Sequence, residues 1–392
     1  MRILSVSPYH EPEGGGLERY AHAIDARLAR RGHEVRAVAM TATGLASEAR
    51  EGVAVQRVPA TLQVGHTPMA RGFRRAVARA IAEQRPDVVV AHTPVPFAAE
   101  MASSAARRAR VPLVVVGHAG QLRGTGALGA VAWLDRWTLH RAMLARAQAL
   151  VAVSPYVRDH AFARFAANVV VIPPGVDARR FHLLPAPEGA TVLFVGPLDH
   201  AYRWKGFEVL LTAFRHVHRA LPAARLVLVG DGDRRAALAA RAQHEHLPVA
   251  FPGRLADGAL VQAYQHANVV CLPSTTDAEA FGMVLAEANA CGRPVVGSRV
   301  GGIPDFVRPH DNGLLAEPGD ARGLADALLA VLRDPVQAQA MGWRGRARVL
   351  AEHDWDDLAA RMEAVLAEAA STKAGAAPVA APLRVGDAPQ LR

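Results

Sequence analysis

Residues 271–305 read CLPSTTDAEAFGMVLAEANACGRPVVGSRVGGIPD, and the fold turns on how this stretch divides. An apolar run at 267–273 predicts a buried parallel strand, and residues 274–279 form a polar loop. Phe281-Gly282-Met283-Val284 opens a helix that runs to about Cys291. A second apolar strand at 294–298 and the glycine turn Gly301-Gly302 complete a βαβ unit. Its carboxylates Glu279 and Glu287 lie eight residues apart, one before the helix and one inside it. The separation would be about 12 Å if the rise were helical throughout. Eight residues is a little over two turns, so both can face one cleft. Between them a helix start offers N–H groups with no intrahelical partner, and Gly282 lets a ligand come close, an arrangement that attracts phosphate. A carboxylate on either side can accept hydrogen bonds from hydroxyls, as from a sugar. On its own an E-x7-E spacing is more often an exposed helical Glu and an unrelated loop Glu.

Outward from this unit, the chain starts with a strand at 3–7 and a loop ending in Gly14-Gly15-Gly16. A helix follows at 17–31, with Leu17, Tyr20, Ile24 and Leu28 on one face, then a strand at 35–40. A glycine turn between strand and helix is Rossmann-like, but it is not G-x-G-x-x-G, so a nicotinamide cofactor is not expected. Strands follow at 87–92 and 111–118, the second ending in His118-Ala119-Gly120. Open α/β sheets bind ligands at such strand ends. A helix at 128–147 carries Trp133 and Trp137, a strand covers 150–153, Ser154-Pro155 caps the next helix, and 169–172 is the last strand of this half. Residues 185–189, rich in Pro and Gly, read as an interdomain linker.

The pattern then restarts with a strand at 192–195, a loop at 196–206 and a helix at 207–221. Arg203 and Lys205 lie before that helix start, where two cations suit a pyrophosphate. A strand at 225–229 leads to Gly230-Asp231-Gly232-Asp233. After the following strand, the backbone of Phe251-Pro252-Gly253-Arg254-Leu255 can face a nucleotide base. Beyond Asp305 the chain reads as helices. The segment 371–392, rich in Ala and Pro, is expected to be disordered.

The 392 residues suffice for two domains, and 51% hydrophobic against 21% charged residues permits a sizeable core. A net charge of +9 favours anionic partners. Nucleic acid ranks last among them, because no aromatic-rich basic motif is present. Cys271 and Cys291, both in apolar contexts, read as buried thiols rather than a disulfide framework. The opening residues resemble neither a signal peptide nor a membrane span, so a cytoplasmic location is expected. Arg71, Arg74, Arg75 and Arg79 form a basic helix with an apolar stripe of Phe73, Val77 and Ile81. It reads as a solvated basic face or as a helix lying on anionic lipid at the inner face of a membrane.

Glu279-Ala280-Phe281-Gly282-Met283-Val284-Leu285-Ala286-Glu287 resembles the E-x7-E signature of family 4 glycosyltransferases, which have the GT-B fold. Gly292-x-Pro294-Val295-Val296 and Gly301-Gly302-Ile303-Pro304-Asp305 resemble that family's next segments, and the likeness runs from the first strand to about residue 365. It implies an α/β protein of two Rossmann-like domains facing a cleft. These are an acceptor-side domain at 1–184, joined by a crossover helix at about 355–370, and a nucleotide-sugar domain at 185–354. The implied activity is that of a retaining glycosyltransferase using a nucleotide-diphosphate sugar of the GDP-mannose or UDP-glucose/N-acetylglucosamine type. The acceptor is open: a lipid, a saccharide or a small molecule.

By the same resemblance, Gly15 and Gly16 approach the donor phosphates and Glu18 lies on the acceptor side. His118 contacts the transferred sugar, Glu279 holds that sugar's hydroxyls and Glu287 the ribose. Lys205, Arg203 and the N–H groups around Phe281, Gly282, Met283 and Val284 stabilise the leaving phosphate, with Arg254 and Leu255 near the base. The family often has Gly-Arg after the strand at 192–195; this chain has Gly196-Pro197, so Arg203 is the candidate replacement. Asp231-x-Asp233 matches the D-x-D of metal-dependent glycosyltransferases, but in this family that turn carries no metal, and no metal or other cofactor is expected. Alternative readings are a nucleotide-sugar 2-epimerase of the same architecture and a non-enzymatic binder of sugar nucleotide or anionic lipid.

Overall fold

Runs such as Val88–Thr93, apolar as far as Ala91, and Leu113–Gly117 are buried along their whole length. A strand of that kind must be covered on both faces, which calls for a parallel sheet sandwiched by helices. The computed structural model describes residues 1–64, 67–119, 139–164 and 169–372, and it contains two such sheets. In the first, eight strands are ordered Val169–Val171, Ala149–Ala152, Leu113–Gly117, Val88–Thr93, Arg2–Val6, Glu34–Thr41, Val53–Pro59 and Glu48–Arg50. Only the last pair is antiparallel. The second has six parallel strands: Val249–Gly253, Arg225–Val229, Thr191–Val195, Val269–Leu272, Val295–Ser298 and Gly313–Ala316.

In both sheets the strand order reverses around the first strand of the unit, Arg2–Val6 in one and Thr191–Val195 in the other. The crevice beyond the carboxyl ends at such a reversal is where these folds bind ligands. The loop carrying Gly14–Gly16 leaves the first reversal point and the loop carrying Arg203 and Lys205 leaves the second.

Each sheet has its own core. The final helix, Trp355–Ser371, belongs to the first: Trp355, Leu358, Ala359, Met362 and Leu366 pack into the core around Arg2–Val6 although they follow the second sheet in sequence. The chain thus passes between the units twice, and the two passages are tied together. His353 Nδ1 lies 2.9 Å from Pro174 O, and Val176 N donates to His353 O at 2.9 Å. Arg27 pairs with Asp356, and Arg31 and His33 with Glu363, fastening the last helix to the helix Gly16–Arg30.

The structure departs from the sequence-based expectations in several places. The expected loop at 196–206 contains a 3-10 turn, His200–Lys205. Phe251-Pro252-Gly253 lies within the strand Val249–Gly253 rather than after it. The chain beyond Asp305 is not wholly helical, because Gly313–Ala316 adds an edge strand too short to announce itself. Val53–Pro59, with the antiparallel Glu48–Arg50 and the hairpin Leu62–Val64/Thr67–Met69, was not anticipated. The apolar stripe of the basic helix, which spans Phe73–Gln84, is turned inward: Phe73, Val77 and Ile81 are buried in the first core. Arg71 precedes that helix, and Arg79 pairs with Glu83 at 2.6 Å. Both cysteines are buried free thiols. Trp133, Trp137, most of the helix expected at 128–147 and the segment from 373 onward lie outside the described residues.

A Cβ on Gly175 would sit 2.5 Å from the ring of Trp355, against the seam of the two passages. Gly175→Ala is therefore expected to cost roughly 1–3 kcal/mol through overpacking, read as a lower thermal midpoint. Gly258 lies in the helix Asp257–Gln265, and its added Cβ would meet nothing within 4 Å. Gly258→Ala should raise stability by about 0.5–1 kcal/mol.

Candidate active site

The site is set by backbone packed on backbone at the carboxyl ends of the second sheet. A Cβ on Gly206 would lie 1.8 Å from Pro273 O, and one on Gly302 would lie 1.8 Å from Ala280 O. Only glycine permits either approach. The first clamps the loop after Thr191–Val195 onto the loop after Val269–Leu272, and Thr275 N donates to Trp204 O at 2.7 Å across the same contact. The second lays the Gly301-Gly302 turn over residues 279–280, where Gly302 N donates to Glu279 O at 2.8 Å.

These clamps bring two of the expected residues together. Lys205 Nζ lies 2.9 Å from Glu279 Oε2, with side-chain exposures of only 17% and 11%. The Lys205 ammonium also lies 4.7 Å from the centroid of the Trp204 ring. Ser274 Oγ is within 3.5 Å of the same carboxylate oxygen. A cation and an anion thus sit side by side just ahead of the helix Met283–Ala290.

Gly282 caps that helix with φ +85°, and Leu285 N already donates to Gly282 O. The helix begins only at Met283, so the backbone from Glu279 to Gly282 is not helical and the 12 Å helical spacing does not apply to the carboxylate pair. Phe281 turns its ring away into packing with Phe306 and His353, which leaves the backbone N–H groups as this segment's polar contribution. Met283 and Val284 pack against the second core, and Met283 Sδ would lie 3.4 Å from a Cβ on Gly16.

Glu287, inside the helix, is 6% exposed. Tyr264 OH donates to its Oε2 at 2.6 Å, and Arg19 Nη1, from the first unit's opening helix, lies 3.8 Å from Oε1. Burial, and then the Glu287 charge, push the Tyr264 phenol far above its usual range. It therefore stays a donor and fixes one carboxylate oxygen. Arg203 and Arg254 are exposed, and Leu255 is partly buried against the second core.

On the first unit, Gly15 and Gly16 are exposed at the start of their helix. Glu18 turns back so that its Oε2 accepts from Gly15 N at 2.7 Å; it is buried, and burial raises its pKa. That oxygen braces the glycine loop. His118 follows the strand Leu113–Gly117, with Nε2 2.9 Å from His92 Nδ1 and its ring edge-on to Tyr20 at 5.0 Å.

Asp231 and Asp233, the D-x-D match, serve loop structure. Asp233 Oδ1 accepts from His200 N at 2.7 Å, Asp231 Oδ1 from Gly232 N at 3.0 Å, and Asp231 O from Leu198 N at 2.9 Å. Their turn braces the loop that carries Arg203 and Lys205.

Sequence reading missed Arg19, Tyr20, His92 and Tyr264. His92 had a usable signal, since it lies at the carboxyl end of a strand next to the one that ends before His118. Tyr264 had none, because a helical tyrosine fifteen residues before the E-x7-E reads as core. Chemically, the second unit offers a largely buried ammonium paired with a carboxylate, a helix start and a second carboxylate held by a phenol, and the first unit offers a pair of imidazoles. That set suits a ligand with an anionic centre and hydroxyls on both sides of it.

The family model "Glycosyltransferase Family 4" matches residues 14–180, and "Glycosyl transferases group 1" matches residues 176–348. Glycogen synthase of Mycobacterium tuberculosis is 30% identical over 92% of each chain. Phosphatidyl-myo-inositol mannosyltransferase of Mycobacterium leprae is 28% identical over 92% of this chain and 95% of that one. Among solved structures, sucrose-phosphate synthase from Thermosynechococcus elongatus superposes with a TM-score of 0.77 at 25% identity, covering 94% of this chain and 98% of the other. With both halves matched and the two-sheet architecture shared, the chain belongs to glycosyltransferase family 4, and the protein is a glycosyltransferase of GT-B fold.

Proposed function

We propose that the protein transfers a hexose from a nucleotide-diphosphate sugar, of the GDP-mannose or UDP-glucose/N-acetylglucosamine type, with retention of anomeric configuration and without a divalent metal. The observation that carries this reading is the Lys205–Glu279 pair ahead of the helix Met283–Ala290. In a largely buried ion pair the lost hydration offsets much of the Coulombic gain, so an arriving diphosphate can take over the Lys205 ammonium. The departing Glu279 carboxylate is then available to the hydroxyls of the sugar. As the bond between the anomeric carbon and the phosphate oxygen breaks, charge grows on the diphosphate. Lys205, the helix N–H groups and Arg203 from the neighbouring turn stabilise it, as preorganised donors do where charge develops. The acceptor oxygen bonds to the anomeric carbon, and its proton passes to the leaving phosphate. Glu287, oriented by Tyr264, holds the ribose hydroxyls.

A relative named as a GDP-mannose-dependent mannosyltransferase, 34% identical over 54% of this chain, supports a nucleotide-sugar donor, and the names glycogen synthase and phosphatidyl-myo-inositol mannosyltransferase leave a lipid, a saccharide or a small molecule as the acceptor class. Among the described residues no helix is long and apolar enough to cross a membrane. Peripheral contact at the inner face of an anionic membrane would run through Arg71, Arg74, Arg75 and Arg79 by charge alone, since their helix has its apolar stripe in the core.

Donor turnover measured with GDP-mannose, UDP-glucose and UDP-N-acetylglucosamine in excess chelator tests the central reading. One donor is expected to be consumed at an undiminished rate. A complete loss that manganese restores would return Asp231 and Asp233 to consideration as metal ligands.

Lys205→Ala and His118→Ala should fail differently. The first is expected to weaken nucleoside diphosphate binding in calorimetry and also slow turnover. The second should leave diphosphate affinity nearly intact and lower single-turnover transfer by ~10²-fold, because its contact is with the reacting sugar. Equal loss of diphosphate affinity in both variants would refute the division of labour between the two units.

Anionic vesicles should pellet the parent protein at low salt and lose it at high salt, with each arginine near the surface worth about 1 kcal/mol. Changing the four arginines to Ser should abolish pelleting at either salt; equal pelleting of parent and variant would make the cluster a solvated face.

A further inference from the structure

Two imidazoles stand at the carboxyl ends of neighbouring parallel strands of the first sheet. Thr93 pairs in register with Gly117, so His92 and His118 project from adjacent strand ends. His92 Nδ1 and His118 Nε2 are 2.9 Å apart. His92 is 2% exposed, and its remaining nitrogen, Nε2, is buried with no partner among the described residues. The His118 ring is held on a second side by the edge-on Tyr20, whose own OH donates to Ile172 O at 3.1 Å.

Both rings are neutral. Burial, then the charge of His10, pushes His92 down to about 3, and burial, then His92, holds His118 well below the usual range. Among the described residues, the titratable groups near this pair include Tyr20, with its ring 6.5 Å from His92, and His10, whose ring meets that of His22 edge-on at 5.1 Å. His22 in turn meets Glu51.

Between two neutral imidazoles one nitrogen must donate and the other accept. If His118 donated from Nε2, His92 would carry its proton on Nε2, a buried N–H with nothing to receive it. Buried N–H groups left without any partner are rare in folded proteins, and unmet acceptors are somewhat less so. If His92 donates from Nδ1, the unpartnered Nε2 is a bare lone pair and no N–H is orphaned.

We infer that His92 is a positioning residue that donates to His118 Nε2, fixing His118 as the Nδ1–H tautomer and making it a neutral hydrogen-bond donor to an oxygen of the transferred sugar rather than a base. The role toward sugar rests on the function proposed above; the tautomer does not. With Nε2 occupied and Nδ1 already bearing hydrogen, His118 has no nitrogen on which to take a proton. This is the reverse of the Nε2–H form that an imidazole favours in water. The second-layer histidine therefore decides what the cleft histidine can do.

The full chain, labelled with 15N-histidine, gives the tautomer of each ring from its long-range nitrogen–proton couplings, and His118→Gln identifies the His118 signals. The parent is expected to show His118 protonated on Nδ1. His92→Leu should move His118 toward Nε2–H and lower turnover of the consumed nucleotide sugar by about tenfold, with the donor KM within about twofold. His92→Asn, whose amide N–H can replace the donor, should recover most of the rate and the Nδ1–H signal. A parent His118 carrying its proton on Nε2 overturns the inference even if no variant folds. An unchanged tautomer in a folded His92→Leu also overturns it, and a changed tautomer with full turnover removes its link to the reaction. If the parent consumes none of the nucleotide sugars, the functional reading fails while the couplings still decide the tautomer.

Discussion

The candidate site depends on contacts in which one loop's backbone lies directly on another's, with no side chain between. Gly206 against Pro273 O and Gly302 against Ala280 O leave no room for even a methyl group. Side chains can adjust to each other by changing rotamer, but main chain pressed on main chain cannot. Three loops from strands far apart in sequence are thereby fixed at the carboxyl edge of the second sheet, and the Lys205–Glu279 pair inherits its geometry from them. The Asp231 and Asp233 turn extends the bracing on the outer side. Glycines here are structural parts of a charged site.

Electrostatics then follow from burial. Net charge of +9 makes the whole chain attractive to anions, but that field is diffuse. Local focusing comes from one ammonium kept partly out of water beside a helix start. Its carboxylate partner offsets the charge and reduces the cost of holding the cation there. Glu287 is handled differently: a buried phenol donates to one oxygen, while the other faces Arg19 across the units. One carboxylate is thus paired with a lysine and the other oriented by a phenol, although both belong to the same E-x7-E.

The first unit supplies precision of another kind. In its histidine pair His92 is buried and His118 partly exposed, and its opening helix is fastened to the chain's last helix by Arg27–Asp356 and by Glu363 with Arg31 and His33. Two chain passages, near Gly175 and His353, join the halves, and Trp355 packs over the first of them. The seam that links the units is therefore continuous with the helix that carries Gly16, Arg19 and Tyr20.

Much of this was legible in the residues. Valine-rich runs such as Val88–Thr93 declare strands buried on both faces, glycine turns mark the two reversal points, and Glu279-to-Glu287 with its flanks carries the family. Short or charge-bearing strands were not legible. Gly313–Ala316 is too brief to show a period, and Val53–Pro59 buries an arginine, Arg57, whose Nη groups donate to His10 O, Glu11 O and Glu48. The stripe Phe73, Val77, Ile81 was visible as a stripe, but periodicity cannot say whether such a face meets lipid or core; the packing of the helix against the first sheet decided for core. Local order also cannot show partners that lie far apart in the chain. Lys205 meets Glu279 across 74 residues, Tyr264 reaches Glu287 across 23, and His92 reaches His118 across 26. Sequence by itself determined the two-unit α/β class and the E-x7-E carboxylates, because residue type and local pattern are local facts. Only the tertiary structure decided which groups pair, because pairing depends on how close approaches at glycine bring distant strand ends together.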